Sequence, residues 1–364
     1  MPDTKFLYNQ SINGIKNSRV KGLMGEISTL IEEGLSDTAG KKSAIPYLFN
    51  EEKSDKAIER HVIEDGYDLF DPQLDGDAAK SDKTNEIGHK DISHIIFTKQ
   101  IDFTETMLED AGYNMNPSLK VRSKELPSAY WKTRERVAQG AYINGESEGF
   151  MFRGAKIDTT TYDGKPLFSK DHTFGDEEHG HVFGTQPNLY YIDLVDNESL
   201  HAGNIAEILS AGGEIVNQML NSNGEPQDFD ADTVFVPRGV KTIGGVDKVR
   251  RALGSEFFPG TSLNDINTQK GAFDFVPLSN WHPDTLELMI MSQEAKEMLN
   301  KAMFYNRVNL GINVWRDERT GSIHYRGRGR WGLGFVDYKH VIKIKIFTGN
   351  APSNIDQIAT KLEI

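Results

Sequence analysis

The spacing of apolar positions divides the chain into stretches with different grammars. Val20, Leu23, Met24, Ile27, Leu30 and Ile31 fall at helical spacing, which predicts an early amphipathic helix that Gly34 can stop. A helix so close to the terminus needs its stripe covered, either by its own core or by a neighbouring copy. Ile95, Phe97, Ile101 and Phe103 alternate as a half-buried strand, with Lys99 breaking the pattern. Thr106 and Glu109 have capping-box spacing and open a short helix that Gly112 can close. Leu126, Tyr130, Val137 and Ala141 share one face, predicting a long helix over 124–142 with Pro127 in its first turn.

From residue 200 helices and strands alternate. Ile205, Ile208, Leu209, Val216, Met219 and Leu220 mark a helix, with Asn223-Gly224 at its end; Val246, Val249 and Leu253 mark another. The run TVFVP (233–237) reads as a short buried strand, and Phe273, Phe275 and Val276 give a further one. Val308, Leu310, Ile312 and Val314 then alternate strictly, and Asp317 to Gly321 forms a turn. On the return strand Arg326, Arg328 and Arg330 share one face. Ile342, Ile344 and Ile346 alternate with Lys343 and Lys345, so a β-meander with one basic face is expected. The class is α+β.

One stretch fits neither period. Residues 64–91 are acidic, poor in apolar side chains and dotted with Gly and Pro, so they cannot pack a core alone. They read as a projecting arm ordered by a partner, or a mobile one. Charge sharpens this. Residues 59–110 hold 14 Asp or Glu against 5 Lys or Arg, whereas 301–345 hold 10 Lys or Arg against 3 Asp or Glu. Either these are two solvated surfaces, or they are complementary ones that meet between copies.

Composition removes whole classes of chemistry. With no cysteine in 364 residues there are no disulfides, thiolate metal sites or cysteine nucleophiles. The net charge of −13 argues against general nucleic-acid binding. No apolar run reaches the length of a membrane span, and residues 1–10 lack secretory-signal order, so an intracellular product is expected. No phosphate-binding loop, nucleophile elbow or zinc-protease helix motif occurs. Asp71, Asp75, Asp77 and Asp82 surround Gly76 in the wrong order for a calcium loop. The loop 171–181, with His172, His179 and His181, offers imidazole and carboxylate ligands, but reads better as a polar surface loop. No catalytic residue, metal or cofactor is expected.

Four segments carry a resemblance. YDGKPLFSKDH (162–172) resembles a segment of Mu-like and related phage major head proteins. DFTETMLED (102–110) is similar to the strand-to-helix step after their extended loop. DADTVFVPRGV (230–240) resembles their strand ending in Val-Pro, and 315–343 their late hairpin. The order and spacing of these segments over roughly 95–345 carry the likeness. The resemblance implies an HK97-type fold: an arm (1–58), an extended loop (59–105), a peripheral domain (106–189 and 291–345, spine helix 124–142) and an axial domain (190–290 and 346–364).

It implies a function too. Such a chain is a non-enzymatic major capsid protein, assembled in the bacterial cytoplasm into a virion shell enclosing double-stranded DNA. Its partners would be itself, in hexamers and pentamers, with scaffolding, portal and decoration proteins; it would meet DNA on the inner surface without sequence specificity, and no membrane. The residues expected between subunits are Asp71, Asp75 and Asp77 on the acidic loop and Arg326, Arg328 and Arg330 on the sheet. Two alternatives stand beside it: an encapsulin-like compartment shell, and a metal-dependent hydrolase using the loop 171–181.

Overall fold

The computed structural model describes residues 9–10, 18–39, 42–64, 72, 86–110, 117–175, 184–194, 201–221, 223–238, 245–259, 265–298 and 300–362. In chain order, β1 (Asn9–Gln10) and α1 (Ser18–Ala39) lead to α2 (Ile45–Leu48) and β2 (Asn50–Lys53). A ribbon of β3 (Ile58–Glu64) and β4 (Glu86–Ser93) precedes β5 (Ile95–Phe103), α3 (Glu105–Asp110) and α4 (Pro117–Ile143). Short strands follow: β6 (Gly149–Phe152), β7 (Ala155–Asp158), β8 (His172–Phe174), β9 (Gly184–Gln186) and β10 (Leu189–Asp193). The alternating lobe comprises α5 (Ala202–Asn217), β11 (Thr233–Pro237), α6 (Gly245–Gly254), β12 (Asp274–Leu278), β13 (Leu286–Met291) and α7 (Gln293–Met298). The chain ends with β14 (Ala302–Arg316), β15 (Ile323–Phe335), β16 (Val341–Phe347), α8 (Ile355–Ile358) and β17 (Thr360–Lys361). The mixture of helix and sheet is the expected α+β class.

Two sheets organise these elements. The first has the order β1-β14-β15-β5, with β2 also pairing β14. The second has the order β12-β11-β13-β16-β10-β17. The expected meander is therefore wrong in its third strand: β16 sits inside the second sheet, between β13 and β10. Alternation along β16 shows which residues share a face; sheet membership depends on contacts distant in sequence.

The second sheet is covered on both sides. Ile205, Ile208, Leu209 and Val216 of α5, with Val249 and Leu253 of α6, pack on Val234, Leu288, Ile290, Ile342 and Ile344. Full burial of each such side chain stabilises by about 1.5–3 kcal/mol. On the opposite face Phe235, Met289 and Met291 join a core with Val137, Ala138, Ala141 and Tyr142 of α4. Tyr142 donates its hydroxyl to Leu48 O at 2.7 Å and lies 3.0 Å from Nε2 of His340. Burial holds the Tyr142 phenol well above its ordinary value and pushes His340 down to about 3, so both stay neutral.

The long helix α4 ties both sheets together. Its first half lies on the first sheet, where the Cβ that Gly329 lacks would fall 2.5 Å from the Tyr130 ring. The helix is longer than expected: it begins at Pro117, so Pro127 lies in its interior, where it cannot donate to the carbonyl four residues back. The first turns of α4 are polar, so periodicity showed only the part after Leu126. Gly34 does not stop α1 either. It lies inside that helix, where an added Cβ would approach Lys124 O to 3.0 Å, marking the crossing of α1 over α4. The described part of the α1 stripe is covered by its own chain: Ile27, Ile31 and Leu35 join Leu126, Leu310, Ile312 and Tyr325. The cap of α3 is also displaced, since the Met107 amide bonds to Oγ1 of Thr104, not to a cap at Thr106.

Candidate functional site

The first sheet has two unlike faces. Odd-numbered positions of β15 look toward α4, with Ile323 and Tyr325 in its core. Even-numbered positions carry His324, Arg326, Arg328 and Arg330, as alternation requires. Arg326 is exposed, while Arg328 and Arg330 are half-buried. Their cross-strand neighbours are Gln100 and Asn313 for Arg326, Thr98 and Gly311 for Arg328, and Ile96 and Val308 for Arg330. None of these is acidic. Arg326 lies 5.7 Å over the Trp315 ring.

A bulge between Asn306 and Val308 sets Arg307 in the stretch of β14 that lies across from Arg330 and Trp331. Nε of Arg330 and Nη1 of Arg307 are buried and find no acceptor among the described residues. A buried guanidinium N–H without a partner is costly, which makes the row a ready acceptor of carboxylates. Asp102 on β5 does not serve it, being held by Nδ1 of His324 at 2.6 Å and by Gln100 at 2.7 Å. The hydrogen bond from His324 lowers the Asp102 carboxyl below its ordinary range.

The acidic stretch begins on the ribbon of β3 and β4, paired from Ile58 with Ser93 to Glu64 with Glu86. Asp71, Asp75, Asp77 and Asp82 lie outside the described residues, so their meeting with the arginines is not part of the observed geometry. The ribbon's direction is. Gly332 leaves room for the Ser93 carbonyl and Gly334 for Ile92. Further toward the tip, Lys90 reaches Asp158 at 2.6 Å, and Gly88 passes Tyr162, whose amide bonds to Val336 O. Contacts of β4 thus step toward the C-terminal end of β15 as the tip is approached. The arginines lie the other way, with Arg326 about 20 Å from Gly332 along the strand. The described strands of the ribbon, as far as Glu64 and Glu86, lead away from the basic row of their own chain.

Other predicted features prove internal. His172 is buried, its Nδ1 2.7 Å from Asp163 and its Nε2 3.0 Å from Leu167 O, and it stacks on Tyr338 at 3.8 Å. Both nitrogens are engaged, so His172 is no free metal ligand. Asp163 also accepts from the Lys165 amide at 3.1 Å and from Thr161 at 2.5 Å. Burial raises the Asp163 carboxyl, but the bond and charge of His172 outweigh it and hold the group at about 2. The segment 162–172 is therefore a folding knot. His179 and His181 lie outside the described residues, and no cluster of three metal-ligating side chains occurs among the described ones.

Lys343 and Lys345 are likewise not surface charge. Lys343 meets Glu146 at 2.6 Å and Glu287 at 3.0 Å, and Lys345 meets Glu146 at 2.7 Å. Burial raises the Glu146 carboxyl, and the two lysines more than reverse this. Arg134 of α4 is buried against Glu51 at 2.9 Å and over the Phe304 ring at 4.7 Å. Nothing in the local pattern announced these partners, which come from distant parts of the chain.

No protein-family model and no curated protein matches the chain. Among solved structures, it is similar to a chain from the capsid of the cyanophage P-SCSP1u, with 10% identity and a TM-score of 0.49, covering 84% of this chain and 87% of that one. A chain from Gordonia phage Cozz gives 11% identity and a TM-score of 0.48, covering 85% and 87%. One from the capsid of an empty GTA particle gives 10% and 0.46, covering 85% and 91%. No described helix is long and apolar enough to cross a membrane.

Proposed function

We propose that the chain is a shell-forming subunit, the major capsid protein of a tailed phage, with the HK97-type organisation that its sequence resembles. One observation carries this reading: a two-stranded ribbon rises from the base of a sheet whose open face bears arginines with no acidic cross-strand neighbour among the described residues, and its described strands lead away from them. The acidic residues carried between Glu64 and Glu86 are thus proposed to meet the row of a second copy and not that of their own chain. Asp71, Asp75 and Asp77 are the proposed donors of negative charge; Arg326, Arg328 and Arg330, with Arg307, are the proposed receiving face. Each exposed pair contributes about 0–1 kcal/mol, so the pairs set register and orientation more than affinity.

In this reading residues 1–58 form the arm, 59–105 the extended loop and α4 the spine. The first sheet belongs to the peripheral domain. The second sheet, β16 included, forms the axial domain, which moves the boundary near 345 to about 340. The subunit acts structurally and without catalysis. Its finer partners are copies in hexamers and pentamers, with scaffolding, portal and decoration proteins, and packaged DNA on the inner surface of a virion assembled in the host cytoplasm.

Electron microscopy of the expressed chain is the test. Closed shells are expected for the wild type, and soluble folded subunits without shells for Arg326→Glu/Arg328→Glu/Arg330→Glu. Intact shells from the triple variant would remove the arginine contact; the absence of shells from the wild type would count against the whole reading.

A further inference from the structure

The root of the ribbon holds a cluster of titratable groups that the assembly reading does not use. His61 on β3 lies with Nε2 2.7 Å from the Tyr305 hydroxyl of β14, and their rings sit 5.7 Å apart. His94, at the joint between β4 and β5, meets the same Tyr305 ring edge-on at 6.3 Å. Nδ1 of His94 faces Ala57 O at 3.1 Å, while its Nε2 is buried with no partner among the described residues. Tyr305 is thus gripped between two imidazoles that belong to the ribbon and its joint.

A second attachment lies on the other strand. Lys90 of β4 reaches Asp158 of β7 and Oγ1 of Thr160, both at 2.6 Å. Ile92 is buried with Met303, Tyr305 and Val336. Beside this apolar packing, which Ile63 of β3 joins, the ribbon has two polar attachments: β3 through His61 on Tyr305, and β4 through Lys90 on Asp158.

These two points differ in their response to protons. We propose that the ribbon root is a proton-operated latch, in which neutral His61 holds β3 to Tyr305 and its protonation lets the ribbon swing about the Lys90–Asp158 anchor. The charged and titratable groups facing His61 are Glu52 on β2, Lys56 and Glu59 before and on β3, Lys90 opposite it on β4, His94 and Tyr305. Burial lowers the His61 value below 6.5; attraction by Glu52 and Glu59 opposes this without reversing it, and Lys56 adds to the lowering. Glu59 is itself engaged by Ser54 at 2.6 Å and Lys56 at 3.3 Å.

The direction follows from linkage. A histidine whose value is lowered in the docked state favours docking above about pH 6.5. That contribution drains away as pH falls from there to the docked value, and then levels off. The second anchor is unaffected over this interval. Burial raises the Asp158 carboxyl, but Lys90 and Thr160 bring it below its ordinary 3.8, so it stays ionised down to that value. Mild acid opens one attachment and leaves the other closed. Tyr305, raised above its ordinary value mainly by burial, stays protonated throughout.

The absence of native cysteine makes the test direct. Spin labels on Val62→Cys and Asn309→Cys, both exposed positions, report the distance from the ribbon to β14 in the unassembled full chain. Between pH 7.5 and 5.5 a second distance population is expected to grow, and to shrink again when the pH is restored. His61→Gln should give the same distribution at both pH values. Tyr305→Phe should show the second population already at pH 7.5. A wild-type distribution indifferent to pH overturns the latch, as does a His61→Gln chain that still responds. Because the measurement uses single subunits, it stands or falls separately from the shell reading.

Discussion

Two strands of this protein carry basic residues in strict alternation, and their fates are opposite. On β15 the row of Arg326, Arg328 and Arg330 faces outward, with no acidic cross-strand neighbour. On β16 Lys343 and Lys345 face a buried pocket where Glu146 and Glu287 neutralise them. Their periodicity in sequence is the same. What differs is the company brought by elements far away: α4 ends at Ile143, close to Glu146, and β13 carries Glu287 next to β16. A closed ion-pair knot serves the subunit itself. An open row with orphaned donors is a surface that the isolated subunit leaves unfinished.

Stability measurements can break this contrast. Lys343→Ala leaves two carboxylates without their central partner and should cost about 3–5 kcal/mol in denaturant unfolding. Gly329→Val pushes a branched side chain into the Tyr130 ring and should cost about 1–3 kcal/mol through overpacking; if it unfolds like wild type, α4 does not rest on β15 as described.

Acid titration sharpens the contrast further. Because Glu146 is held below its ordinary 4.5 in the folded chain, its pairing stabilises above that value and is lost as pH falls through the folded value. The stability gap between wild type and Glu146→Gln should therefore narrow below pH 4.5. A gap that stays constant would mean the knot is not ionic. Arg328→Ala should change unfolding by no more than about 0.5 kcal/mol, since nothing acidic inside the subunit depends on it. A larger loss would show the open row to be internally paired after all.

Much of the fold was legible where the signal is local. TVFVP is β11 residue for residue, and the turn from Asp317 to Gly321 forms with Asp317 accepting from the Arg319 amide and Gly321 at φ 69°. The stripes of α5 and α6 are buried as their spacing requires. What escaped was set by partners distant in sequence. Gly34 looked like a helix stop but is where α1 meets Lys124, and the burial of Arg134 against Glu51 left no mark in the local pattern. The arginine row was visible because alternation alone places it. The orphaned donors and the ribbon's direction needed the bulge at Asn306 and Val308 and the path of β4.

The direction of the ribbon gives the proposed contact a polarity. Each copy has one giving end and one receiving end, and where copies join head to tail the contact runs in one direction from each to the next. In the proposed shell such contacts follow one another around a ring until it closes. A copy with its arginines reversed keeps its ribbon and loses only its receiving end. Mixed into a wild-type population, such a copy would act as a chain terminator, and a small fraction of it would suppress closure far beyond its share of the molecules.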